Sequence, residues 1–192
     1  LAILWIGTNP WACALTLLTL IVYLLFYTPL KKKSPYATEV GAVSGALPPL
    51  IGWVAASGEP STYGWILFGI LFTWQLPHFM AIAWNFRKDY QTGGFKLQDL
   101  GNPNGFLFAR KSLIYTILLT AFVFSPYFIQ SSQPKPGVLY FVSACLLSIY
   151  ILIPATKFLL SNNRDKSARK LFFVTIIYLP LLLAILVIDR FL

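Results

Sequence analysis

Tyr27 and Lys31, in the run YTPLK, put a phenol and an ammonium group about one helical turn apart. Both could reach a single anionic oxygen. The same spacing also reads as a tyrosine at the edge of an apolar segment beside an orienting cluster, Lys31-Lys32-Lys33. A second group of polar residues lies in WQLPHFMAIAWNFRKDY, from Trp74 to Tyr90. At 100° per residue, Gln75, His78, Asn85 and Asp89 fall within an arc of roughly 80°, so one helix would carry a polar stripe through an apolar segment. Polar groups at membrane depth are costly and face a cavity or another helix. His78, the sole histidine, follows Pro77 inside the apolar run. There it either hydrogen-bonds across helices or binds something, a metal included. Arg87 and Lys88 precede Asp89, while Lys96, Asp99, Arg110 and Lys111 follow it. Such a basin suits a polyanion, with a carboxylate able to hold a divalent cation bridging to phosphate. An ordinary orienting loop would carry the same charge.

The elements that must position these groups follow from composition. Hydrophobic residues make up 57% of the chain and charged ones 11%, against about 25% charged in soluble domains. The apolar runs approach the length of about 20 residues that crosses a bilayer core. The fold class is therefore all-α, a polytopic membrane helical bundle over 1–192 as one domain. Complete spans are expected near 11–27, 38–56, 63–84, 112–129, 137–160 and 170–188, after a partial one at 1–7. A long polar loop is expected over 85–111. The net charge of +9 does not indicate nucleic acid, because the basic residues sit between apolar runs. On alternating topology, the loops holding Lys31, Arg87 to Lys111 and Arg164 to Lys170 share one side, the cytoplasm or the mitochondrial matrix. Arg164-Asp165-Lys166 reads as an orienting turn and helix start. Cys13 and Cys145 read as small core residues. Gly41 and Gly45 form a GxxxG that allows close helix approach. Pro48-Pro49 removes two N–H donors and is expected to break or kink its helix. The chain opens LAILWIG, which reads as a helix cut partway through.

Taken together, YTPLKKKS, VGAVSGALPPLIGWVAASG, WQLPHFMAIAWNFRKDYQTGG and RKLFFVTIIYLPLLL resemble the haem-farnesylating branch of the UbiA-type intramembrane prenyltransferases. The resemblance implies a nine-helix bundle around a central cavity, of which this chain would be the C-terminal two-thirds. It also implies Mg²⁺ as cofactor, held by two aspartate-rich motifs. Asp89 matches the leading aspartate of the second motif, as metal ligand and catalytic residue. Tyr27 and Lys31 match a YxxxK expected to engage the diphosphate of farnesyl diphosphate, with Arg87 and Lys88 neutralising the same group. His78 matches a PHF element and would hold haem b, at the iron; Gln75 and Asn85 complete the substrate-binding set. Trp53, Trp74 and Phe79 would shield an allylic cation. The implied reaction joins farnesyl to a haem vinyl group to give haem O. The bilayer of a bacterial inner or mitochondrial inner membrane would be the setting, with a haem A synthase as a further partner. The sequence departs from the pattern at Gly93, where many relatives have a second aspartate, and at Ala37, where many have asparagine. The first aspartate-rich motif would lie upstream of Leu1, so the fragment alone is expected to be inactive. Rival readings are a prenyltransferase of this fold acting on a quinone or chlorophyll precursor, a small-molecule transporter, and a non-catalytic haem-handling protein.

Overall fold

Asn9 starts the first long helix: its side chain accepts from Ala12 N at 2.9 Å, and Pro10 follows where a missing N–H costs nothing. In a computed structural model, which describes residues 1–97, 104–129 and 135–191, this helix follows a short α1 (Ala2–Gly7). It is α2, Pro10–Leu30, whose segment Val22–Tyr27 is wound as a π-helix. The remaining helices are α3 (Ala37–Ser57), α4 (Thr62–Asn85), α5 (Arg87–Thr92), α6 (Phe106–Phe128), α7 (Val138–Leu160) and α8 (Arg164–Ile188). Asp99 and the first four residues of the SSQPKP connection lie outside the described residues.

Among the described residues six helices, α2, α3, α4, α6, α7 and α8, are long and apolar enough to cross a membrane. The expected spans are all present, with three corrections. Arg110 and Lys111 belong to the opening turns of α6 rather than to a loop, and α8 begins at the helix start read at Arg164 rather than near 170. The loop after Asn85 contains α5. Of the break or kink expected at Pro48 and Pro49, the break does not occur: α3 runs through them. They leave the Ser44 and Gly45 carbonyls without the usual donor four residues on.

Helix α4 is the hub. It packs against α3, α6 and α8, with α2 resting on α3 and α7 closing against α6 and α8. Lipid tails offer helices no hydrophobic reason to associate, so close contact at small residues and interhelical hydrogen bonds decide the packing. Both are present between α3 and α4. Gln75 Nε2 donates to Ala42 O at 2.7 Å, and a Cβ on Gly45 would stand 2.5 Å from Gln75 Oε1. A second tie lies at the far end of the bundle, where the buried Asp189 accepts from Gly137 N at 2.5 Å and Tyr140 N at 3.0 Å. A carboxylate at the α7 N-terminus meets the free N–H groups and the positive end of that helix. At the basic end, Glu39 of α3 pairs with Lys111 of α6, both largely shielded from solvent.

Asp189→Ala strands two backbone donors and is expected to cost about 1–3 kcal/mol, read as a lowered Tm of the detergent-solubilised protein. Gly45→Ala should destabilise by overpacking, about 1–3 kcal/mol. Adding Gln75→Ala removes the obstacle, so the double variant should lose less than the two single losses summed. Strict additivity in thermal unfolding would rule out the contact as the cause.

Candidate functional site

A cavity of about 640 Å³ opens between α2, α3 and α4, roofed by α5 and the residues after it. Tyr27, Lys31, Gln75 and Asp89 line it, together with Tyr23, Phe79, Tyr90, Phe95 and Leu97. Four of the polar residues singled out in the sequence therefore meet at one cavity, although they come from two separate stretches of chain.

Each is positioned by a local feature. Tyr27 ends the π-wound segment of α2, and its half-buried ring lies where Gly41 has no side chain. A Cβ there would come within 2.7 Å and 2.8 Å of ring carbons. The GxxxG of α3 thus makes room for two polar side chains, Tyr27 at Gly41 and Gln75 at Gly45. Lys31 caps the same helix end, its N–H bonded to Tyr27 O at 3.0 Å. Asp89 sits in α5, separated from α4 by Phe86 with φ −111° and ψ 26°. After α5 the chain turns at Gly94, φ +71°, a conformation glycine adopts without strain. The turn returns Phe95 to Tyr90 O at 3.0 Å and carries Lys96 N to Lys31 O at 3.3 Å. Phe95 and Tyr90 meet edge to face, centroids 5.3 Å apart. The double glycine after Asp89 thereby ties the Asp89 helix to the Lys31 turn across the cavity mouth. Burial raises the Tyr90 phenol above its usual range, so it stays a neutral hydroxyl in the cavity wall.

The other predicted residues lie elsewhere. Arg87 is turned toward α8: Nη1 reaches Asp165 Oδ1 at 3.2 Å and Trp84 O at 3.0 Å, and the guanidinium lies 4.4 Å above the Trp84 ring. Trp84 Nε1 donates to the same Asp165 at 2.8 Å. Arg87 and Asp165 line a second, open cleft of about 660 Å³ with Arg164 and Asn163. Arg87, expected to face the anion beside Asp89, is here tied to α8, and Asp165 is a partner of two α4–α5 side chains as well as a helix start. Lys88 is exposed, and neither it nor Asn85 is among the residues lining the first cavity. Of the three aromatic residues expected to line that cavity, Phe79 does, whereas Trp53 stacks on Tyr63 and Trp74 turns to α8.

His78 also faces α8. Nδ1 lies 2.9 Å from Thr175 Oγ1, and the ring stacks on Trp74 and Phe172, both with centroids at 5.2 Å. Phe79, the next residue, lies 5.7 Å from it between centroids and lines the cavity, which His78 itself does not. The single polar stripe is therefore divided: Gln75 serves α3 and the cavity, His78 serves α8, and Asp89 belongs to a separate helix. Thr175, Trp84 and Phe172 were not legible as site residues, because their partners lie far along the chain. The one local signal was Thr175 as a lone hydroxyl in the apolar run LFFVTIIY.

Asp89 is the single carboxylate among the described lining residues. No three His, Cys, Asp or Glu side chains gather at one point among the described residues. One carboxylate at an open mouth fits a Mg²⁺ that takes its other ligands from water and phosphate, rather than a cage made wholly of protein.

The chain is similar to several curated proteins. A protoheme IX farnesyltransferase of Opitutus terrae is 45% identical over 190 residues, covering 99% of this chain and 63% of the relative. One from Solibacter usitatus is 36% identical, covering 97% of this chain and 62% of the relative. The human mitochondrial protoheme IX farnesyltransferase is 37% identical over 186 residues, covering 96% and 40% respectively. The chain thus spans about three-fifths of the length of the first two. No solved structure matches it. Residues 1–177 match the UbiA prenyltransferase family model. With six apolar helices among the described residues, a cavity open at their basic end and this match over most of its length, the chain belongs to the UbiA prenyltransferase family.

Proposed function

We propose that the protein to which this chain belongs transfers a farnesyl group from farnesyl diphosphate to a vinyl group of protohaem IX, giving haem O. The observation that carries this reading is the meeting of Lys31, Tyr27 and Asp89 at the mouth of a cavity whose other walls include Gln75, Phe79, Phe95 and Leu97. Cationic and hydroxyl donors at an open rim suit a diphosphate, and aromatic walls behind them suit a prenyl chain. The acceptor is taken from the similar proteins, which are protoheme IX farnesyltransferases.

Lys31 and Tyr27 bind the diphosphate oxygens, and Asp89 would hold a Mg²⁺ that neutralises charge on the same group. The C1–O bond of farnesyl diphosphate breaks, and diphosphate leaves with the electron pair. The ammonium of Lys31 stabilises the departing charge in a partly desolvated mouth, where a fixed cation acts more strongly than in water. Phe79, Phe95 and Tyr23 face the allylic cation with their ring electrons and keep water from it. The outer vinyl carbon of the haem bonds to farnesyl C1, and water adds to the inner carbon with loss of a proton. His78 holds the haem on the α8 side of α4, next to Phe79. On this reading the basic end of the bundle faces the cytoplasm of a bacterium or the mitochondrial matrix, and a haem A synthase is a partner downstream.

The test uses the full-length protein with haem b, farnesyl diphosphate and Mg²⁺, the pigment being analysed by mass. Asp89→Asn and Lys31→Ala should each lower kcat/KM by about 10²-fold or more, with Tm unchanged. Diphosphate release with a quinone or chlorophyll precursor, and none with haem, would replace the acceptor. Full activity in Asp89→Asn would remove that residue from the site.

A further inference from the structure

Thr19, Tyr23, Tyr27 and Lys31 line the first cavity at intervals of four residues along α2 and its end. In an α-helix each such step turns about 40° past a full circle, so three steps would carry a side chain well out of line. The π-wound segment Val22–Tyr27, whose bonds reach five residues on, is wider and takes up that drift. One helix therefore lines the cavity from mouth to inner end, a depth of roughly 18 Å between Lys31 and Thr19 at about 1.5 Å per residue.

The two ends of the cavity differ in chemistry. Lys31 and Asp89 stand at the mouth, with the Tyr27 and Tyr90 phenols beside them. At the inner end the described lining residues are Thr19 of α2, Ser44 and Gly45 of α3 and Gln75 of α4, and none of these carries a charge. The three polar side chains already donate to backbone carbonyls: Thr19 Oγ1 to Leu15 O at 2.8 Å, Ser44 Oγ to Gly41 O at 2.8 Å, and Gln75 Nε2 to Ala42 O at 2.7 Å. A diphosphate therefore finds its cation at the mouth, and a prenyl chain attached to it points inward. Below the polar layer the helices close on one another. Ala12 and Leu15 of α2, Leu47, Leu50 and Val54 of α3 and Phe68 of α4 form an apolar cluster, each deeper along its helix than the lining residues. Such packing leaves no channel for the chain to continue.

Length then decides what fits. With zigzag carbon–carbon bonds of about 1.5 Å, the twelve-carbon main chain of farnesyl extends roughly 15 Å and the sixteen-carbon one of geranylgeranyl roughly 20 Å. The first fits between Lys31 and Thr19, and the second overruns that depth. An overlong chain would have to press on the oxygens of Thr19, Ser44 and Gln75, which it cannot hydrogen-bond, or open the cluster beneath them. Gln75 cannot swing aside freely, since its amide is bonded to Ala42 O and lies over Gly45. We propose that Thr19, Ser44 and Gln75 form a floor that sets the length of the prenyl chain, admitting farnesyl and refusing a chain one isoprene unit longer. This rests on the prenyl-transfer reading above.

The experiment gives the full-length protein, in lipid nanodiscs with Mg²⁺ and haem b, an equimolar mixture of geranyl, farnesyl and geranylgeranyl diphosphates, and sorts the products by mass. The wild type should transfer farnesyl in preference to the other two. Gln75→Ala removes a side chain close to the size of an isoprene unit. It should raise the ratio of geranylgeranyl to farnesyl product about tenfold or more, the scale on which apolar pockets discriminate small changes of length. Thr19→Phe raises the floor and should shift the ratio by a similar factor toward geranyl. Ratios within one mixture do not depend on total activity. Thr19 is only partly buried, so its variant decides the matter should Gln75→Ala fail to fold. In parallel, the rise in Tm produced by the unreactive thiolo analogue of each diphosphate reads the same preference without an acceptor. Unchanged ratios and an unchanged order of Tm in the folded variants overturn the floor, as does a wild type that binds and transfers all three lengths equally. Binding that favours farnesyl, with no prenylated haem from any of the three, upholds the floor and overturns the haem reading. A wild type that neither binds nor transfers any of them overturns both.

Discussion

Hydrogen bonds from α4 side chains to its neighbours are the constraint on which the rest of the arrangement depends. In a bilayer, burying apolar surface between helices gains little, because the lipid is equally apolar. Directional contacts must then specify which faces meet. Gln75 ties α4 to α3 through Ala42 O, Trp74 and His78 tie it to Thr175 of α8, and Trp84 ties its end to Asp165. These bonds set the rotation of α4. That rotation in turn puts Phe79 and Gln75 on the cavity side while His78 looks toward α8.

The second theme is the use of absent side chains. Gly41 and Gly45 lie one turn apart on α3, and each leaves a space that a polar side chain from another helix fills. The pattern commonly brings two backbones together. In this bundle it admits a phenol and an amide to a helix surface, so the cavity wall presents Tyr27 and Gln75 instead of a methyl group. Two further carbonyls, of Ser44 and Gly45, lack helical donors because Pro48 and Pro49 follow, and both residues belong to the same wall.

Charge at the basic end is distributed less simply than its abundance suggests. Arg87 is held by Asp165 and the Trp84 ring, and Lys111 by Glu39. Lys31 is the cation among the described residues lining the cavity. Guanidinium groups pair well with carboxylates in fixed, stacked geometries, whereas a lysine is a compact charge that can follow a changing anion. The division between arginine as fastener and lysine as site cation agrees with those properties.

How much of this was legible in the sequence can be argued from particular residues. The six spans, the shared end of the basic loops and the family motifs follow from the sequence alone, because hydropathy and loop charge act through local composition and need no knowledge of partners. Tyr27, Lys31, Gln75 and Asp89 were likewise recognisable by type and spacing. That they meet in one cavity, while Arg87 and His78 turn to α8, was decided only by the tertiary structure. The reason is physical: residues within an arc of one helix share a direction but not a partner, and the break at Phe86 ends even the shared direction. Sequence by itself determined which groups had to be satisfied inside the membrane. The packing of α3 and α8 around α4 determined which neighbour satisfies each one.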